Sequence, residues 1–110
     1  MAETRKTVRG RNTATDTSNK ELLPAIGEGK EYRITSVVIS NTSATPSEVH
    51  IKSGTTTIHT FPAPADSGCV HRFDPEDPLV CAEGEAVNFA AADSVTTMTV
   101  SVVGHVKKRK

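Results

Sequence analysis

An all-β fold, an antiparallel β-sandwich, is what the sequence predicts, and three observations predict it. Roughly seven short runs are rich in Val, Ile, Thr and Tyr, the side chains that suit a pleated, half-buried surface. Clusters of Gly, Pro, Asn, Asp and Ser separate these runs at regular spacing, and no stretch carries the sustained 3.6-residue apolar periodicity of a long helix. Jelly-roll and immunoglobulin-like connections both fit this pattern. The immunoglobulin marker of two cysteines bracketing a tryptophan is missing, because the chain has no Trp and its two cysteines, Cys69 and Cys81, lie only twelve positions apart.

The clearest strand is KEYRITSVVISN, Lys30 to Asn41, bounded by the turn formers Gly29 and Asn41. Simple alternation places Tyr32, Ile34 and Val38 on one face and Val37 and Ile39 on the other. The face of Ile34 and Val38 is therefore expected to pack on the opposite sheet, leaving Val37 and Ile39 for a neighbouring arm or subunit. NTSATPS, residues 41–47, is a loop. EVHIKS, residues 48–53, alternates with Val49 and Ile51 inward, and TTTIHTF, residues 55–61, returns, so 48–61 is a hairpin turning at Gly54. The prolines of PAPADSG, residues 62–68, end that pairing or carry the chain between sheets. CVHRFD, residues 69–74, then places Cys69, His71 and Phe73 on one face and Val70 and Arg72 on the other. An acidic turn, Asp74 to Pro78, leads to a short strand at Leu79–Cys81. AVNFAAA, residues 86–92, alternates in Val87, Phe89 and Ala91, and the last strand, Val95 to Val106, turns Met98, Val100 and Val102 inward.

Residues 1–29 carry few apolar side chains and read as an extended arm. Leu22, Leu23 and Ile26 form one cluster interrupted by Pro24, an apolar anchor for laying the arm on a sheet and, in an assembly, against a neighbour. The expected organisation is an arm over residues 1–29, a sandwich over 30–106 and a basic tail over 107–110. Aromatic content is only 4%, so the core must be built from aliphatic residues and three Phe, a small core that favours an assembly.

The formal charge is zero but unevenly spread: residues 1–12 carry +3, the tail KKRK +4 and the remaining body −7. Such segregation suits contacts between copies or with an acidic partner. Arg5, Lys6, Arg9 and Arg11, with Lys107, Lys108, Arg109 and Lys110, are the candidate charged contacts. Specific nucleic-acid binding is not expected, because the body is acidic and poor in stacking aromatics. No apolar run is long enough to cross a bilayer and the N-terminus lacks the apolar core of a signal peptide, so synthesis in the cytoplasm and no membrane partner are expected.

Chemistry finds little support. Cys69, His71, Cys81 and His59 are ligand types without zinc spacing, no nucleophile elbow, zincin, Walker or dinucleotide motif occurs, and the acidic turn of Asp74, Glu76 and Asp77 reads as a solvated loop. No enzyme, metal or cofactor is expected. The cysteines are buried free thiols, an internal Cys69–Cys81 bridge, or links between subunits.

From Tyr32 onward, the "ITSVVISNTS" strand and loop, the "IKSGTTTI" hairpin, the Pro-Ala link and the closing Thr/Val strand resemble small β-sandwich virion proteins of tailed bacteriophages. The resemblance covers roughly residues 30–106 and implies a protein that acts by binding, as a capsid decoration, cement or linking component, or as a collar, neck or tail-associated one. Its implied partners are the major capsid protein, other virion proteins and further copies of itself, and its implied location is the virion. A carbohydrate-binding module on the same scaffold is the competing class, though Tyr32 is the only Tyr available to a sugar.

Overall fold

The structure, a computed structural model, describes residues 6–108 except Pro75 and Thr96, and of Lys6 the backbone only. The described residues form strands throughout and no helix: β1 (Lys6–Ala14), β2 (Lys20–Leu23), β3 (Lys30–Asn41), β4 (Ser47–Ser53), β5 (Thr56–Ala63), β6 (Ser67–Arg72), β7 (Leu79–Val80), β8 (Val87–Ala91) and β9 (Met98–Lys108). Each is bounded by the turn chemistry its flanks supply. The β4–β5 hairpin turns through Gly54 and Thr55, with Gly54 at a φ of 61°.

The strands pack as two antiparallel sheets, one in the order β1-β9-β3-β6 with β7 beside β3, the other in the order β2-β8-β4-β5. Setting the two-residue β7 aside, the first long strand pairs with the last, the second with the next to last, the third with the sixth and the fourth with the fifth. That nested pairing is an antiparallel ribbon wound on itself, the jelly roll, and it decides against the immunoglobulin-like alternative.

One irregularity sets which residues are buried. The β3–β9 register shifts between Ile34 and Ser36, so Thr35 is an extra residue opposite β9. Alternation restarts beyond the bulge. Tyr32 and Ile34 before it, and Val37 and Ile39 after it, all point into the core, while Val38 is 39% exposed. The expected faces of β3 are therefore corrected: Val37 and Ile39, read as partner-facing, are interior, and Val38, read as interior, is on the surface. The bulge is tight against β9, since a Cβ at Gly104 would collide with the carbonyl oxygen of Arg33.

The arm reading differs from the structure in a second respect. Residues 6–14 lie as β1 along the whole inner part of β9, from Lys6 opposite Val106 to Ala14 opposite Met98, and residues 20–23 pair as β2 with β8. Composition alone undervalued them because a strand beside a long β-rich partner gains its ladder from that partner and needs few apolar side chains of its own. Leu22 and Leu23, read as anchors for a neighbour, are buried in this chain's own core, and Ile26 packs half-buried against it. β1 and β2 close one side of the sandwich. Asn12 Nδ2 donates to the Glu21 carbonyl at 3.0 Å, and Gly10 has no room for a Cβ beside the Leu22 carbonyl.

The core between the sheets is aliphatic, with Ile34, Val37, Ile39, Met98, Val100 and Val102 of the first sheet facing Val49, Ile51, Phe61, Val87 and Phe89 of the second. On the side opposite β1 and β2, the rings of His59, Phe61, His71 and Phe73 stack between β5 and β6, with centroids 4.3 Å apart for Phe61–His71 and 4.5 Å for His59–Phe61.

Candidate assembly surface

The outward face of the β1-β9-β3-β6 sheet follows from register. Its cross-strand ranks are Thr13, Thr99, Ser40 and Gly68; Arg11, Ser101, Val38 and Val70; Arg9, Val103, Ser36 and Arg72; and Thr7, His105, Arg33 and, on β7, Val80. Val38, Val70 and Val80, at 39%, 56% and 45% exposure, are the large hydrophobic residues exposed among the described residues, and all three lie on this face. The ranks hold Arg9, Arg11, Arg33 and Arg72, and the next outward residue on β3, Glu31, adds a carboxylate. Arg33 Nε is held by Glu31 Oε2 at 3.1 Å. The outward face of the other sheet is polar by contrast, with Glu48, His50, Lys52, Thr57, Thr60 and Asn88.

The residues expected to bind partners are thus divided. Arg9 and Arg11 sit together on the outward side of β1, and Lys107 and Lys108 are exposed at the end of β9. Leu22, Leu23, Val37 and Ile39 are interior. Arg5, Arg109, Lys110 and the side chain of Lys6 lie outside the described residues. Sequence reasoning missed Val38 as a surface residue because of the bulge. Val70 and Arg72 had been placed together on one face of β6, and that alternation was the available signal.

The cysteines are free. Cys69 pairs opposite Ile39, whereas the Cys81 amide donates to the Tyr32 carbonyl, seven positions away along β3. At about 3.3 Å per residue they stand roughly 20 Å apart, far beyond the ~7 Å limit for a bridge, so the internal disulfide is excluded. The same separation prevents Cys69 and Cys81 from sharing a metal. Cys81 is fully buried, and burial, followed by the charges of Glu85 and Glu31, pushes its thiol up to about 12. Cys81 lies with Glu31, Glu83, Glu85, Ser53 and Val80 around a recess of about 340 Å³. Ser53 Oγ there donates to Glu85 Oε1 at 3.1 Å and accepts the Ala82 amide at 2.8 Å. Tyr32, the one Tyr, is buried, donates its hydroxyl to the Pro24 carbonyl at 2.6 Å, and has its phenol pushed up by burial. It offers no stacking surface to a sugar.

No protein-family model matches the chain, and no curated protein matches it in sequence. Solved structures do resemble it in shape. A chain from the acidic stable capsid of Helicobacter pylori bacteriophage KHP30 is similar with a TM-score of 0.55 at 9% identity, over 97% of this chain and 99% of that one. A chain from Bacillus endospore appendages, described as disulfide-linked pili, gives 0.54 at 10% identity over 98% and 93%. The SPBc2 prophage-derived protein YomS gives 0.52 at 15% identity over 96% and 97%. At these identities the likeness is one of fold, and it extends over nearly the whole length of each chain.

The end of the sandwich at Ala14, Asn41 and Met98, opposite Lys108, carries exposed carboxylates. The β1–β2, β3–β4, β5–β6 and β8–β9 loops meet there, tied by Asp66 N to the Ser43 carbonyl at 2.9 Å, Ala92 N to the Glu48 carbonyl at 2.9 Å and Val95 N to the Thr15 carbonyl at 3.3 Å. They present exposed Asp16, Asp66 and Asp93, with Glu48 beside them near the start of β4. Hydrogen bonds from the Ser18 hydroxyl and amide, and then Lys20, hold the Asp16 carboxyl below its usual range.

Proposed function

We propose that this chain is a structural component of a bacteriophage particle, a decoration, cement or linking protein that binds and stabilises the capsid. The observation that carries this reading is the outward face of the β1-β9-β3-β6 sheet, a regular platform that gathers the exposed valines with Arg9, Arg11 and Arg72. Exposed apolar groups rimmed by like charge mark a protein contact surface. Whole-length similarity to a chain of a phage capsid supports a particle setting. Lys107 and Lys108 supply charged contacts at the other end of the sandwich. A collar or neck position uses the same surfaces and differs only in the partner.

Particles purified from infected cells test the reading. Mass spectrometry should find the chain at fixed, high stoichiometry to the major capsid protein, and difference density should place it on the shell. A chain absent from washed particles is not a virion component, and density confined to the neck assigns it to the collar.

A further inference from the structure

We propose that the outward face of the β1-β9-β3-β6 sheet docks onto the acidic loop end of a second copy of this chain. The inference deepens the assembly reading and rests on it for a setting of many copies. Its test uses purified protein, so failure here and failure to find the chain in particles are told apart.

Three observations choose the occupant. The face carries Arg9, Arg11 and Arg72 among its ranks, and the carboxylate it bears, Glu31, is held by Arg33, so two such faces set against each other would bring guanidinium groups together with little compensation. Symmetric face-to-face pairing is therefore disfavoured, and the face calls for an acidic counterpart. The chain provides one in Asp16, Asp66 and Asp93, with Lys20 bound to Asp16 at 3.6 Å, whereas at the opposite end exposed Glu28 and Glu83 lie beside Lys30, Lys107 and Lys108. The same loops expose Ala44, Pro46, Pro64 and Ala92, small apolar groups that suit the shallow relief of Val38, Val70 and Val103. Acidic end and basic face occupy different parts of one molecule, so the contact is heterologous and propagates from copy to copy instead of closing as a dimer.

Area sets the strength. Four strands about 4.8 Å apart and four ranks about 6.8 Å apart span roughly 500 Å², below the ~800 Å² per partner of a stable complex. A single contact is expected to be weak, with a Kd in the range of roughly 10 μM to 1 mM, and to become effective through repetition in an array.

Sedimentation velocity on the purified full chain, up to roughly 1 mM, is the test. Wild type should associate with rising concentration beyond a dimer, and about 0.5 M salt should weaken association by roughly tenfold or more. A face variant, Arg9→Glu with Val70→Glu, and an end variant, Asp66→Lys with Asp93→Lys, should each remain monomeric with wild-type circular dichroism, since all four side chains are exposed. Mixed together, each donates its intact half only if the contact is heterologous, although the introduced charges also permit one swapped pairing. A third variant, Asp66→Asn with Asp93→Asn, removes that ambiguity: mixed with the face variant it should give a complex that stops at one copy of each. Wild type that stays monomeric overturns the proposal, as does association strengthened by salt. Association lost only on Lys107→Gln with Lys108→Gln also overturns it, because that result makes the contact end to end through the basic tail.

Discussion

Replacing Val37 by Ala and, separately, its neighbour Val38 by Ala separates the bulged β3 from a regularly alternating one. Val37 is fully buried between the sheets and Val38 is 39% exposed on the outer face. Val→Ala removes two methyl groups, and about 0.8 kcal/mol for each buried carbon gives roughly 1.6 kcal/mol before any cavity term. A partly relaxed cavity raises the cost at Val37 to about 2–3 kcal/mol, against about 0.5 kcal/mol or less at Val38. For a domain of this size the first corresponds to a fall in Tm of roughly 10 °C or more and the second to no more than a few degrees. Urea denaturation followed by circular dichroism measures both, with an unchanged m-value as the sign that the unfolded state is unaffected. Equal losses at the two sites, or a larger loss at Val38, would refute the bulge and with it the assignment of the outer face.

Other expectations concern the first strand, the packing at the bulge and the buried thiol. Deleting residues 1–14 removes β1, uncovers the edge of β9 and leaves half-buried Val8 and buried Ala14 unreplaced, so the truncated chain should unfold at markedly lower urea or aggregate; a truncated protein with wild-type stability would show β1 to be dispensable. Gly104→Val should destabilise by at least about 2 kcal/mol through the clash with the Arg33 carbonyl, and thermal unfolding decides, a neutral variant contradicting the close approach. In native protein near pH 8 a thiol reagent should label half-buried Cys69 and spare Cys81 until denaturant is added; equal labelling would contradict the burial of Cys81. The Cys81 thiol, held up to about 12 from an ordinary 9.0, loses its proton more readily in the unfolded chain, so its contribution to stability is complete below pH 9 and declines as pH rises from 9 towards 12. Denaturation midpoints of Cys81→Ser and wild type should therefore converge across that interval.

Strand existence was legible from residues 30 onward because it rests on local signals. Lys30–Asn41 has the bounds that its Val, Ile and Thr content and flanking turn formers imply, and the hairpin turns where Gly54 stands. Two features were not legible, for different physical reasons. β1 was hidden because its stability comes from β9, more than eighty positions away, and an edge strand with Arg and Thr on its outer side looks like a solvated tail. The faces of β3 were hidden because a bulge is decided by what packs against it: Thr35 donates its hydroxyl to the Val103 carbonyl at 3.3 Å beside Gly104, a contact between residues 68 apart. The candidate surface inherited both errors. Arg9 and Arg11 were recognised for their charge, but their alignment with Val38 and Val70 exists only once β1, β9, β3 and β6 are placed side by side.

That alignment also changes what the charge of the chain means. A formal net charge of zero would ordinarily argue for association that ignores salt and peaks in the absence of repulsion. Here the jelly roll separates part of the charge, while the end at Lys30, Lys107 and Lys108 mixes cations with Glu28 and Glu83. Nested pairing carries the β1–β2, β3–β4, β5–β6 and β8–β9 loops, with Asp16, Asp66 and Asp93, to one end, while the ladder sets Arg9, Arg11 and Arg72 on one sheet. Both surfaces are within a Debye length of their counterpart only at contact, about 8 Å at physiological salt, so attraction is short-ranged and directional. Neutrality overall then permits dense packing of many copies, and segregation within each copy fixes how neighbours are oriented. Adding one charge to either surface should therefore alter association far more than adding the same charge to the polar outer face of the β2-β8-β4-β5 sheet, even though the net charge changes identically.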